Sequence, residues 1–236
     1  MKFTVAGHTE RGKRDHNEDA IDWYLSPRSD RALVLVADGM GGYAGGEVAS
    51  SLALEVMLYH LQDKILGMVD VNDAIAQMLS AARAAHHRLL AEQDAEPALA
   101  KMGTTLVAGL LFERQLVLLH AGDSRCYRWR AGELARLTRD HTYVEENAGT
   151  DVSHHVLTRA LGAKQPFDFS VAVHKVQSGD LFAFCTDGLS NALKKTDWDK
   201  ALASNLPTGQ RPQALLKLAL SKGADDNLSL VMVQCQ

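Results

Sequence analysis

The clearest change of hydrophobic rhythm along the chain falls between Ala32 and Glu47. Leu33 to Ala37 is an unbroken apolar run of strand length, which predicts a strand buried on both faces. Asp38 follows, pushed out at the strand's end, and then glycines at 39, 41, 42, 45 and 46 permit a tight turn and a close approach to the main chain. From Glu47 the period lengthens. Glu47, Ser51, Glu55 and Gln62 share one helical stripe, while Val48, Leu52, Val56 and Ala49, Ala53, Met57 fill the opposite side. The segment reads as strand, carboxylate, glycine turn, helix.

The same order recurs. An apolar run from Leu116 leads to Gly122-Asp123, and another from Leu181 leads to Asp187-Gly188. Asp225-Asp226-Asn227 stands just before the run Leu228 to Val233. One Asp-Gly after a strand is an ordinary turn. Four strand-associated acids, far apart in sequence, point instead to one shared oxygen-rich site.

The remaining elements follow from the same periodicities. Phe3–Thr9 and Ala20–Leu25 read as strands, and Val71–Glu92 as a helix with Val71, Ile75, Met78, Ala82 and Leu89 on one face. His86 lies near that face as a partly buried structural histidine. Residues 103–112 and 115–120 form a hairpin around Glu113-Arg114, and 125–130 and 133–137 another, turned at Ala131-Gly132. Residues 167–176 alternate, with Phe167, Phe169, Val171 and Val173 inward, and Asp180–Thr186 is a further strand. A helix opened by Pro212 and closed by Gly223 keeps Leu215, Leu216, Leu218 and Ala219 inside, and Leu228–Val233 is the last strand. Thr138–Gly162 has no regular pattern. Because strands and helices are grouped rather than strictly alternating, the expected fold class is α+β, antiparallel sheets with helices packed outside. Neither an internal repeat nor a linker is evident, so residues 1–236 are expected to form a single domain.

Composition narrows the chemistry. The net charge of −4, with acids and bases interspersed, excludes a basic footprint for nucleic acid. No apolar run approaches the ~20 residues of a membrane span, and the N-terminal apolar stretch is stopped by His8-Thr9-Glu10-Arg11, too short for a signal peptide. Three scattered cysteines give neither a disulfide framework nor zinc spacing. From these absences the expected location is cytoplasmic. Gly7-x4-Gly12-Lys13 is nearly a P-loop, but Arg14 stands where Ser or Thr is required and no helix pattern follows. A cysteine-dependent phosphatase needs an arginine six positions after its nucleophile. Here Gly132 follows Cys126 and Asn191 follows Cys185 at that distance, and Cys235 is almost terminal.

Asp38, Asp123, Asp187 and Asp226 are hard oxygen donors without histidine or thiolate companions, a set that suits Mg²⁺ or Mn²⁺ and disfavours zinc. Two such ions about 4 Å apart can share a water and lower its pKa. A structural calcium site is the alternative, but no loop has EF-hand spacing. Arg14, four residues before Glu18, offers a planar fork suited to phosphate oxygens; alone it would read as an exposed basic residue.

Arg14-x3-Glu18-Asp19, Asp38-Gly39-Met40-Gly41-Gly42, Gly103-Thr104-Thr105, Gly122-Asp123-Ser124-Arg125, Asp187-Gly188 and Asp226-Asn227 occur in order from end to end of the chain. In this the sequence resembles the metal-dependent protein serine/threonine phosphatases of the PP2C (PPM) family, bacterial type. The resemblance implies a four-layer αββα sandwich, two antiparallel β-sheets flanked by helices. It also implies two tightly bound Mn²⁺ or Mg²⁺ ions and a third, weaker one. On that reading Asp38 bridges the two tight ions, the Gly39 carbonyl coordinates the second, and Asp187 and Asp226 complete the first. Glu18 and Asp19 sit close by through waters, Asp123 with Asp187 holds the third ion, and Arg14 holds the substrate phosphate. The implied reaction is direct attack of a metal-bridging hydroxide on phosphoserine or phosphothreonine. The implied partners are phosphorylated proteins, substrates of a Hanks-type Ser/Thr kinase, met by a monomer that binds neither nucleic acid nor membrane.

Two departures bear on mechanism. Met40 stands where eukaryotic relatives carry a histidine, so a metal-bound water, or else His16 or His141, would have to protonate the leaving oxygen. The flap segment, residues 142–156, is short for a bacterial member and bears on substrate choice. For Asp123 the competing reading is a turn aspartate paired with Arg125. Rival functions are a catalytically inactive phosphoprotein-binding module, disfavoured because no metal carboxylate is missing, and a hydrolase of small phosphate esters.

Overall fold

A computed structural model describes residues 1–42, 45–146 and 156–236. In chain order the strands are β1 (Phe3–Glu10), β2 (Asp19–Leu25), β3 (Ala32–Met40), β4 (Gly103–Thr104), β5 (Leu106–Phe112), β6 (Gln115–Ala121), β7 (Arg125–Arg130), β8 (Glu133–Arg136), β9 (Ser170–Lys175), β10 (Leu181–Cys185) and β11 (Leu228–Cys235). The helices are α1 (Gly45–Leu61), α2 (Val71–Ala95), α3 (Tyr143–Glu146), α4 (Asp187–Ala192), α5 (Lys195–Leu202) and α6 (Arg211–Ser221). Two antiparallel sheets result. One has the order β1-β11-β10-β7-β8 and the other β2-β3-β5-β6-β9, with β4 paired to the end of β3.

Three apolar clusters turn these elements into four layers. On β3, Val34 and Val36 face the opposite sheet and pack with Phe182, Phe184, Val231 and Val233. The alternate residues Leu33, Leu35 and Ala37 face α1 and α2, among Ala53, Met57, Met78 and Leu89. On the other sheet, Leu181, Ala183, Leu230 and Met232 pack with Trp198, Leu215 and Leu216 of α5 and α6. Successive side chains of a strand point to opposite faces. A central strand covered by a sheet on one side and helices on the other must therefore be apolar at every position, and this accounts for the uninterrupted runs. The architecture is α+β, two antiparallel sheets flanked by helices.

Both hairpin turns lie where the sequence places them. Glu113 and Arg114 have φ of 46° and 62°, and Ala131 and Gly132 of 50° and 84°, the paired positive values that match the twist of a two-residue hairpin. Other expectations need correction. β3 continues through Asp38 to Met40, because β4 supplies a partner for its last residues: Gly39 pairs with Thr104 and Met40 with Gly103. Val173 does not point inward; it is 42% exposed, since β9 is the edge of its sheet. Phe167 and Phe169 do pack on the core, but from the approach to β9 rather than from within it. α4 and α5 have no counterpart in the sequence reading. Only Trp198 and Leu202 of α5 are buried, too few apolar positions to give a clear period. All three cysteines are free and buried. Among the described residues no helix is long and apolar enough to cross a membrane.

Candidate metal centre

Asp38 sits on β3 directly across from Asp19 on β2. Its backbone is held by the segment entering β5. The Asp38 N–H donates to Thr105 Oγ1 (2.9 Å), and the Asp38 carbonyl accepts from Thr104 Oγ1 (2.9 Å) and from the Thr105 N–H (2.9 Å). Thr105 Oγ1 also lies 2.7 Å from Ser124 Oγ, so one buried hydroxyl ties Asp38 to the residue after Asp123. Gly39 has no room for a side chain: a Cβ there would stand 2.0 Å from the Gly46 carbonyl oxygen and 2.6 Å from that of Glu18. This packing brings the start of α1 against β3.

The acids near both chain ends are pinned by Asn227. Its Oδ1 accepts the Glu18 N–H (2.9 Å), and its Nδ2 donates to the carbonyls of Arg11 (2.8 Å) and His16 (2.9 Å). The loop before β2 is thereby fixed beside Asp226. The Asp226 Oδ1 accepts the Asn227 N–H (2.8 Å), and its Oδ2 accepts from Arg14 Nη2 (2.9 Å). Asp187 is the first residue of α4 and accepts from Asn191 Nδ2 at 3.2 Å. Thr186, one residue earlier, donates its hydroxyl to Asp19 Oδ2 (2.9 Å) and accepts the Ser229 N–H (3.1 Å).

Asp38, Asp123, Asp187 and Asp226 all line one cavity of about 560 Å³, with Met40 and Thr105 on its wall. Glu18 and Asp19 do not line it. The Glu18 carboxylate packs against Gly46 at the head of α1, where a Cβ would come within 2.6 Å of it, and Asp19 is buried against Thr186. Arg14 is exposed and reaches the cluster through Asp226.

The electrostatics are those of crowded acids in a low-dielectric pocket. Burial first, then the charges of Asp19, Asp187, Asp123 and Asp226, push the Asp38 carboxyl well above the usual carboxylate range. Burial first, then Asp187 and Asp140, raises Asp123 to about 7. Asp19 also rises to about 7, through burial that outweighs its hydrogen bonds from Ser229 and Thr186. Glu18 is raised by burial. Such repulsion is relieved by a bound cation. The donors fit a hard divalent ion, being oxygen throughout. Among the described residues no three acidic, histidine or cysteine side chains close round a single point, since Asp19 is turned to Thr186 and Asp226 to Arg14. The fit therefore rests on donor chemistry and on charge.

Several expectations about individual residues change. Arg125 is not the partner of Asp123; its guanidinium grips Asp140 through Nε (3.2 Å) and Nη2 (2.8 Å). His141 is unsuited to proton donation. It is buried, its Nδ1 accepts the Gly122 N–H (3.2 Å), its Nε2 lies 2.9 Å from Ser170 Oγ, and its ring stacks on His120 at 4.5 Å. Burial, then the neighbouring His120, Arg159 and Arg139, lowers its pKa to about 3. His16 is exposed and does not line the cavity. His86 is structural, as expected, accepting the Gly162 N–H at 3.2 Å. Of the flap segment 142–156, residues 147–155 lie outside the described residues; Glu146, just before them, pairs with Arg159, beyond the segment, at 3.2 Å.

Thr104, Thr105, Ser124, Thr186 and Asn227 were given no role by the sequence reading. The available signal was adjacency, since each is a hydroxyl or amide residue in or beside a motif that carries an acid.

The chain matches the family model described as Protein phosphatase 2C over residues 6–221. It is 35% identical to the serine/threonine protein phosphatase PstP of Mycobacterium tuberculosis over 98% of this chain, and it spans 45% of that protein's length. It is 30% identical to the serine/threonine phosphatase stp of Listeria monocytogenes, covering 96% of this chain and 93% of that protein. The solved catalytic domain of PstP, in complex with two manganese ions, superposes with a TM-score of 0.83 at 35% identity, covering 98% of this chain and 97% of that one. With an end-to-end correspondence of both sequence and fold, the chain belongs to the protein phosphatase 2C family.

Proposed function

We propose that this chain is a metal-dependent protein-serine/threonine phosphatase that hydrolyses phosphoserine and phosphothreonine in proteins. One observation carries the reading: aspartates from β3, from the β6–β7 turn, from the head of α4 and from the approach to β11 all line one cavity. Asp38, the Gly39 carbonyl, Asp187 and Asp226 would hold two Mn²⁺ or Mg²⁺ ions, with Glu18 and Asp19 behind them through waters. Asp123 with Asp187 would hold a third, weaker ion. Bound there, such ions supply Lewis acidity toward a water nucleophile and neutralise phosphate charge.

The chain's own residues do the rest. Thr104 and Thr105 fix the backbone of Asp38, and so the point from which its carboxylate enters the cavity. Arg14 already engages a carboxylate oxygen of Asp226, and a planar guanidinium binds phosphate oxygens in the same fork geometry; its role is to hold the substrate phosphate. Met40 lines the cavity and has no proton to give, and His141 is neutral and fully engaged. The leaving oxygen is therefore protonated by a water, which Asp123 on the cavity wall would help to place.

We extend the reading to a cytoplasmic monomer opposing a Hanks-type kinase; the family resemblance supports the kinase pairing, and analytical ultracentrifugation tests the monomer. The decisive assay is release of phosphate from a phosphothreonine peptide beside p-nitrophenyl phosphate. EDTA should abolish turnover of both and excess Mn²⁺ should restore it. Undiminished turnover in chelator overturns the metal reading, and turnover of the aryl ester alone would make the protein a small-ester hydrolase.

A further inference from the structure

The cavity continues well beyond the four aspartates. Past Met40 its walls are two chain segments, residues 100–105 and residues 157–165. They are joined as a short antiparallel pair: the Thr104 N–H donates to the Leu161 carbonyl (3.1 Å) and the Leu161 N–H to the Thr104 carbonyl (2.9 Å). Helix α2 grips both walls from behind. Gln93 is buried, and its Nε2 donates to the Met102 carbonyl (2.7 Å) and the Gly162 carbonyl (2.8 Å). His86 Nδ1 takes the Gly162 N–H. The spacing of the walls is thus set by hydrogen bonds to a long helix.

Lys101 belongs to the first wall and Lys164 to the second. Both are exposed and both line the cavity. Among the described residues neither has an acidic partner. The third cation on the wall, Arg159, is engaged by Glu146 (3.2 Å) and by the Asp168 carbonyl (3.1 Å). Two cations lining one cavity repel, and an anion held by both relieves that repulsion.

We infer that this outer lobe is a specificity subsite, resting on the phosphatase reading above. It takes an anionic group flanking the phosphorylated residue, either an Asp or Glu carboxylate or a second phosphate, between Lys101 and Lys164. As cations the lysines are no part of the metal-holding set, so they bind the flanking anion equally before and during hydrolysis. Their contribution falls on KM rather than kcat.

The test compares phosphothreonine peptides with neutral flanks, with glutamates on either side, and with a neighbouring phosphoserine, on the Mn²⁺-loaded protein. Two rim-exposed ion pairs, each worth a few-fold, should give wild type an on the order of tenfold preference in kcat/KM for an anionic flank. The preference should reside in KM and shrink at high salt. The Lys101→Ala/Lys164→Ala double variant should lose it while turning over p-nitrophenyl phosphate as wild type does. The Lys101→Glu/Lys164→Glu variant should favour lysine-flanked peptides. The glutamate and phosphoserine arms separate the two anion sources. Fluorescence anisotropy with the same peptides bearing a non-hydrolysable phosphonate reads the subsite without chemistry, so a failure of the phosphatase reading shows as no turnover with the binding preference intact. Equal kcat/KM and equal binding for neutral and anionic flanks in wild type, or a preference that survives in the double alanine variant, overturns the subsite.

Discussion

Replacing Thr105 by valine removes one oxygen and keeps the shape of the side chain, so its effect isolates a hydrogen bond. Thr105 is 2% exposed, and its Oγ1 accepts the Asp38 N–H at 2.9 Å and meets Ser124 Oγ at 2.7 Å. In the valine variant the Asp38 N–H is left buried without that acceptor, and Ser124 loses a partner in a site that it cannot leave. An orphaned buried donor costs about 1–3 kcal/mol. At about 2 kcal/mol, a chain of this length should melt roughly 4–8 °C lower. The second effect is on Asp38 itself. Small displacements of a reacting geometry cost up to about a hundredfold in rate, so kcat should fall by tenfold or more while KM for phosphopeptide changes little. Thr105→Ser keeps the hydroxyl and should retain most of both properties. Differential scanning fluorimetry and steady-state kinetics with Mn²⁺ measure the two arms. If Thr105→Val matched wild type in kcat, the positioning role assigned to this hydroxyl would be wrong.

Asp123→Asn separates charge from shape. The folded pKa of Asp123 lies near 7, above its ordinary value of 3.8, so between about pH 4 and 7 the unfolded chain holds fewer protons at this position than the native one. Its contribution to stability therefore falls as pH rises through that window. In chelator, Asp123→Asn should melt higher than wild type above pH 7, with the gain vanishing toward pH 4; an advantage independent of pH would remove the electrostatic account. The same variant in Mn²⁺ should lose most phosphopeptide turnover, and wild-type turnover would return Asp123 to a turn residue. Arg14→Ala should raise KM for phosphopeptide with metal content unchanged in calorimetric titration, and an unaltered KM would make its contact with Asp226 a surface ion pair only. Met40→Ala should slow an aryl phosphate and a phosphopeptide by similar factors, because Met40 has no proton to give and only the phosphopeptide's poor leaving group needs an acid; a loss confined to the peptide would show a part for Met40 in handling that leaving group.

The grouping of strands and helices was enough to expect antiparallel sheets with helices outside, while the four-layer order came with the family resemblance. Leu33–Ala37, Leu116–Ala121 and Leu228–Val233 are apolar at nearly every position because each is covered on both faces, and that pattern survives without coordinates. The four aspartates were equally legible, since each follows or precedes such a run. Edge and periphery were not. Val173 alternates like a buried residue yet lies on an edge strand, and α5 buries two side chains, too few for a helical period. The sequence by itself placed the four aspartates beside strands, because those positions are set locally. Only the tertiary structure decided what holds them. Thr105 reaches Asp38 across 67 residues, Thr186 reaches Asp19 across 167, and Asn227 reaches Glu18 across 209. Hydrogen bonds of that span leave no periodic trace, since one polar atom at the right place suffices and any small hydroxyl or amide residue looks the same in one dimension.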